Sequence, residues 1–296
     1  MQLKYSFKKE WSHFVRTGRI FGFVAAIFSF ALSGPIMFKL LAMMMEMVYS
    51  ADGGGSAFAA VAAAGADGGL GNAFAGIGMD EIMEVYSDAG MIFFTTVSGF
   101  SGLSMLIVML IMMAASGGEQ KKRAMIVPMC SGLEYKNYLI PKFIIYPLCT
   151  GGVTLVSVPV AGVLCNAMFA NNTVSTEVIL LCSVMYAVYN IFLTCVFMAV
   201  GLCTSRPGMA TVIVYLGQSF LQFIFQGIGL IDYNPFTLIT LPSIMITENF
   251  ELTNSLASII VALAISLAVA VIMYFLTLGV LNTKKIDNTE DEKPEF

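Results

Sequence analysis

The chain has 296 residues, of which 58% are hydrophobic and only 11% charged, with a formal net charge of -4 and a mean hydropathy of +0.84. A packed soluble core cannot absorb that much apolar surface, so a soluble globular protein is excluded. The summed charge says little; where the charges sit along the chain carries the information.

The first 18 residues set Phe7, Trp11, Phe14 and Val15 at helical spacing among Lys4, Lys8, Lys9 and Arg16. This pattern predicts an amphipathic helix over residues 1–18, lying on the inner leaflet and drawn to its acidic lipid. The stretch is too long and too evenly basic for a signal-peptide n-region, and no small-residue cleavage site follows its apolar run, so it is expected to be retained.

A helix rises about 1.5 Å per residue, so about 20 apolar residues cross a hydrocarbon layer about 30 Å thick. Six segments within residues 19–283 meet this requirement: Ile20 to Met45, Ala89 to Ala115, Phe143 to Cys165, Val178 to Cys203, Met209 to Ile231 and Leu252 to Leu281. The predicted fold is an all-α membrane protein with six transmembrane helices, each satisfying its own backbone hydrogen bonds as lipid demands. Lys39, near the far end of the first run, reads either as a snorkelling anchor or as a charge that meets a substrate.

Between the first two spans, residues 49–88 are rich in Gly and Ala and can bury little surface, so a mobile or weakly helical external loop is expected. The second span sets Ser98, Ser101, Met105, Met109 and Met112 on one face, which suits either core packing or a path for an amphipathic cargo. The connection over residues 116–142 carries Glu119, Gln120, Lys122 and Arg123 beside Met125, Ile126 and Val127. A helix there would dock into a groove on a cytoplasmic partner or lie along the lipid surface.

In the fourth span, Tyr186, Tyr189 and Asn190 are buried polar groups that either pair with neighbours or face a pathway. The fifth span contains Tyr215, Gln218, Ser219, Gln222 and Gln226, with the three amides four residues apart along one drifting face. Amides facing hydrocarbon would lack partners, so the stripe is expected to serve as interhelical glue or as a polar pathway wall. Residues 232–251 are apolar but broken by Pro235 and Pro242, which predicts a re-entrant helical stretch before the sixth span. Residues 284–296 form a short acidic tail.

Lys4, Lys8, Lys9, Arg16 and Arg19 precede the first span; Lys121, Lys122, Arg123, Lys136 and Lys142 separate the second from the third. Arg206 joins the fourth and fifth, and Lys284, Lys285 and Lys293 follow the sixth, whereas the alternate connections contain no Lys or Arg. The positive-inside rule therefore predicts cytoplasmic termini in a plasma-membrane protein.

Several chemistries lack their residues. No GxxxxGK[ST] phosphate cradle occurs, so ATP would have to be bound by another chain. Gly99-Phe100-Ser101-Gly102 has the form of an intramembrane serine-protease nucleophile, but the only histidine, His13, lies before the first span. The six cysteines show no CxxC and no adjacent His, so no metal site is expected. Cys165 and Cys182 fall near one membrane face and are placed either as buried thiols or as a pair.

With these elements placed, the chain resembles the membrane permeases of the ABC type-2 exporter family over nearly its whole length. The resemblance rests on the basic amphipathic N-terminus, six spans, the broken stretch containing Tyr233-Asn234-Pro235, and the second-to-third connection, where Glu119, Ser131-Gly132, Tyr138 and Lys142 match the family pattern. Two departures stand in that connection: Lys122-Arg123-Ala124 replaces the family's Gly-Thr, and Pro128 comes early. The resemblance implies a half-transporter that pairs with a second copy or paralogue and rests on a separate ABC ATPase subunit holding ATP and Mg. This chain itself would be no enzyme, hold no cofactor and bind no nucleic acid. It further implies contact with the ATPase through Glu119, Gln120, Lys122, Arg123, Met125 and Ile126. The cavity would be lined by Ser98, Ser101 and Met105 of the second span and Gln218, Ser219, Gln222 and Gln226 of the fifth. An ion-coupled secondary carrier and a non-transporting scaffold or sensor are the competing readings.

Overall fold

The computed structural model describes residues 2–51, 88–99, 105–121, 134–169, 171–204, 206–228, 234–247 and 252–287. All regular elements among them are helices: α1 (Gln2–Arg16), α2 (Arg19–Ala51), α3 (Ala89–Gly99), α4 (Met105–Lys121), α5 (Tyr135–Met168), α6 (Thr176–Cys203), α7 (Pro207–Ile228), α8 (Thr237–Thr247) and α9 (Leu252–Asp287). Five stretches are long and apolar enough to cross a membrane: Arg19–Met44, Tyr135–Met168, Thr176–Cys203, Pro207–Phe225 and Leu256–Thr283. This is the architecture of an all-α membrane protein.

The expected second span is represented by α3 and α4, whose apolar stretches Ala89–Gly99 and Met105–Ser116 are each shorter than a single crossing. Residues 100–104 between them lie outside the described residues, as do 52–87 of the expected external loop, 122–133 of the expected coupling segment and 288–296 of the expected tail. The third span starts earlier than its apolar run, so Tyr138 and Lys142 stand on the first two turns of α5. Within the stretch expected to be re-entrant lies α8, which packs against α3, α6 and α9. Its start is fixed by Asn234, whose Oδ1 accepts from the backbone N–H of Phe236 (2.8 Å) and Thr237 (3.2 Å), an Asx cap that sets the helix just after Pro235.

The core lies between α5 and α6, the most extensively packed pair. They approach closely because Gly151 offers no side chain: a Cβ there would sit 2.6 Å from Ile191 Cγ1. Short polar side chains then join the two helices. Thr150 and Thr194 share a hydrogen bond of 3.0 Å between their hydroxyls, and Asn190 Nδ2 donates to Thr154 Oγ1 at 2.7 Å. Ser183 Oγ donates to the Leu155 carbonyl at 2.8 Å. With no water in hydrocarbon, such bonds between spans contribute about 0.6 kcal/mol each.

Helix α9 shows how the sequence sorts faces. Ile259, Ala262, Ser266, Ala270, Thr277 and Leu281 recur at helical spacing and are buried, whereas Ile260, Leu267, Val271, Ile272, Phe275 and Leu276 point outward. Both sets are largely apolar. An uncovered face of that kind would be an aggregation surface in water and is the normal lipid contact in a bilayer.

At the end of the bundle opposite α1, polar contacts tie α2, α3 and α5 together. Lys39 Nζ donates to the Met168 carbonyl at 3.2 Å, near the negative end of the α5 dipole, and lies 5.4 Å from the Phe169 ring centroid. Asp88 accepts from the Met91 N–H at the start of α3 and from Asn172 Nδ2 at 3.1 Å. Asn172 has φ 50, a left-handed conformation that Asn tolerates. Cys165 and Cys182 are both buried free thiols.

Candidate functional site

The most distinctive cluster of ionisable groups lies where α1 meets the foot of α5. Helix α1 ends in a tight corner: Thr17 N–H donates to the His13 carbonyl, Gly18 N–H to the Val15 carbonyl, and Gly18 takes φ 72. A residue with a Cβ would be strained there, and the left-handed Gly is what lets an interfacial helix turn into the span that starts at Arg19. The corner lays α1 against α2 and α5.

The buried side of α1 differs from the one its pattern suggests. Phe14 is fully buried, as expected, but its companions are Ser6 and Glu10, while Trp11 is 52% and Val15 38% exposed. The physical reason is that α1 has two surroundings. One flank packs on the chain's own helices, leaving Trp11 and Val15 on the adjacent flank.

Glu10 meets Lys142 on the packed flank. Lys142 Nζ donates to Glu10 Oε1 at 2.8 Å, and Tyr146 OH donates to the same oxygen at 3.3 Å. Arg19 Nη1 donates in turn to Tyr146 OH at 2.6 Å. Lys142 is 1% exposed and its ammonium stands 5.0 Å from the Tyr138 ring centroid. Phe14 closes the cluster edge-on to Tyr146, with ring centroids 4.8 Å apart, and Phe23 lies against both rings. One cation and a hydroxyl thus meet one carboxylate, with a second cation behind the hydroxyl, in an aromatic wall. Each group holds another in place, which makes the cluster a strut between α1, α2 and α5.

No family model, curated protein or solved structure matches the chain. Function must be argued from side chains. Among the described residues no group of three His, Cys, Asp or Glu could hold a metal ion.

The residues expected to line a pathway fall in two places. Ser98 is half-buried in the last turn of α3 and donates to the Thr95 carbonyl at 3.0 Å. Met105 opens α4 fully buried in the core. Gln218 and Gln222 are half-buried on α7, on the side away from the exposed Leu216, Phe220 and Phe223. Gln218 Oε1 accepts from Tyr189 OH at 3.4 Å, which joins Gln218 of the amide stripe to Tyr189 of α6. Ser219 and Gln226 occupy α7 and Glu119 and Gln120 the last turn of α4, but their side chains lie outside the described residues. Ser101, Lys122, Arg123, Met125 and Ile126 lie wholly outside them.

Deep in the same region Tyr186 OH and Asn190 Oδ1 are buried without a hydrogen-bond partner among the described residues. A groove of about 320 Å³ between α5, α6 and α9, lined by residues such as Phe143, Ile144, Cys195, Leu267 and Tyr274, is apolar throughout most of its wall. It opens on the outside of the bundle, where lipid chains would fill it.

Sequence reasoning missed Glu10 as a functional candidate. The only signal was a lone acid on an otherwise basic helix, and its partner is 132 residues away.

Proposed function

We propose that the chain is the permease subunit of an ATP-driven exporter, moving an apolar or amphipathic molecule outward through a pathway formed by two copies or by a copy and a paralogue. In this reading α3 and α4 together make the second of six crossings, both termini are cytoplasmic, and ATP and Mg are held by a separate ATPase subunit seated under residues 119–130.

The observation that carries the reading is the strut joining Glu10 of α1 to Lys142 of α5. The proposed coupling segment leads directly into α5, so a push on it would reach Lys142 within two helical turns. From there Glu10 passes the displacement to α1, and Arg19 and Phe23 pass it to the first span. A linkage of that kind suits a machine driven from its cytoplasmic base. The α7 amides support the reading in a second way, since they supply half-buried hydrogen-bonding groups on a helix whose opposite face the chain leaves uncovered.

The test is the double substitution Glu119→Ala with Arg123→Ala. It is expected to abolish stimulation of the purified partner ATPase by cargo while leaving membrane insertion intact. Unchanged stimulation would remove the coupling assignment.

A further inference from the structure

The sequestration of Glu10 has an electrostatic result on the other side of α1. Glu10 is the only acidic residue of the helix, and it is turned inward onto Lys142. The outward side therefore keeps Lys4, Lys8, Lys9 and Arg16 with no carboxylate of their own helix to offset them, and none of the four forms an ion pair among the described residues. On that side lies an open groove of about 450 Å³ lined by Tyr5, Lys8, Lys9, Ser12, His13 and Arg16.

These six positions follow the i, i+3, i+4 repeat, so they form one stripe down the helix. Their polar ends are two ammoniums, a guanidinium, two hydroxyls and an imidazole. A guanidinium fork flanked by ammoniums is the donor set that a phosphate oxygen recognises. Beside the stripe, on the neighbouring flank, the exposed Trp11 follows Lys8 at i+3 and Val15 follows Trp11 at i+4. Trp and short apolar groups at that level sit where headgroups give way to acyl chains. The Gly18 corner keeps the whole arrangement next to the start of the first apolar helix.

We infer that this groove is a discrete headgroup site for one anionic phospholipid, its phosphate held by Arg16, Lys8 and Lys9 and its chains laid along Trp11 and Val15. Such a site is more than the diffuse attraction of a basic helix for an acidic leaflet, because it saturates and depends on particular side chains. It stands on α1 alone and holds whether or not the chain moves a cargo.

Trp11 is the only tryptophan in the chain, which makes its emission a local reporter. The full chain in a neutral detergent would be titrated with dioctanoyl phosphatidylglycerol, with dioctanoyl phosphatidylcholine and with inorganic phosphate. Dioctanoyl phosphatidylglycerol is expected to shift the emission saturably at one molecule per chain, with the other two inert in the same range. Each charge removed should weaken binding about fivefold, so the triple variant Lys8→Gln, Lys9→Gln, Arg16→Gln should bind on the order of a hundredfold more weakly. Lys8→Arg should bind normally. All three positions lie on the open side of α1, so the triple variant is expected to elute like the parent chain. An equal response to phosphatidylcholine, a non-saturating response, or an unaffected triple variant would overturn the site. A matching response to inorganic phosphate would assign the groove to free phosphate and overturn the lipid.

Discussion

Glu10 and Lys142 are the two charged residues that the described structure buries, and they face each other. Taking two ions out of water costs several kcal/mol each, a cost offset only when the pair is close and further hydrogen-bonded. Tyr146 supplies that extra bond to Glu10, and the Tyr138 ring faces the ammonium. Lys142→Met should therefore lower stability by about 3 to 5 kcal/mol, because Glu10 stays buried without its counterion. Adding Glu10→Gln should restore most of that loss, which thermal unfolding in detergent would read as a strongly non-additive cycle. Additive losses would mean that the two side chains act separately and that α1 is not held through them. Nothing in the linear sequence announces this pair. Lys142 reads as a cytoplasmic cation that fits a family pattern and Glu10 is a lone acid on a basic helix; only the fold brings them within 2.8 Å.

At the scale of elements, the sequence was most informative where hydrocarbon sets the rule. Runs of about 20 apolar residues are required by bilayer thickness, so α2, α5, α6, α7 and α9 were legible as long helices. Boundaries were less so. Helix α5 continues into polar sequence at Tyr135 because packing against α1 rewards two further turns that hydropathy alone does not count. The amide spacing on α7 was visible in advance, whereas the bond between Tyr189 and Gln218 was not, since periodicity assigns a face and leaves the neighbour open. Interhelical hydrogen bonds in membranes are worth about 0.6 kcal/mol, so Gln218→Leu with Gln222→Leu should change stability by only about 1 kcal/mol. Export should fall far more than stability if the stripe faces the pathway. A fully active double variant would make these residues packing groups.

For the whole molecule, one asymmetry organises everything: basic residues gather at alternate connections and leave the others bare. The α1 end also holds the Glu10–Lys142 pair and the cationic groove, so these two features share one end of the bundle. The outward faces of α2, α7 and α9 carry Phe21, Phe220, Phe223 and Phe275 well exposed, an apolar surface suited to lipid. The central claim is that this chain works as half of a permease pair energised by separate ATPase subunits. Native mass spectrometry of the complex extracted in mild detergent tests it most directly. The expected mass is that of two 31.9 kDa permease chains with two nucleotide-binding subunits; a chain that emerges alone, or with partners that bind no nucleotide, would contradict the account.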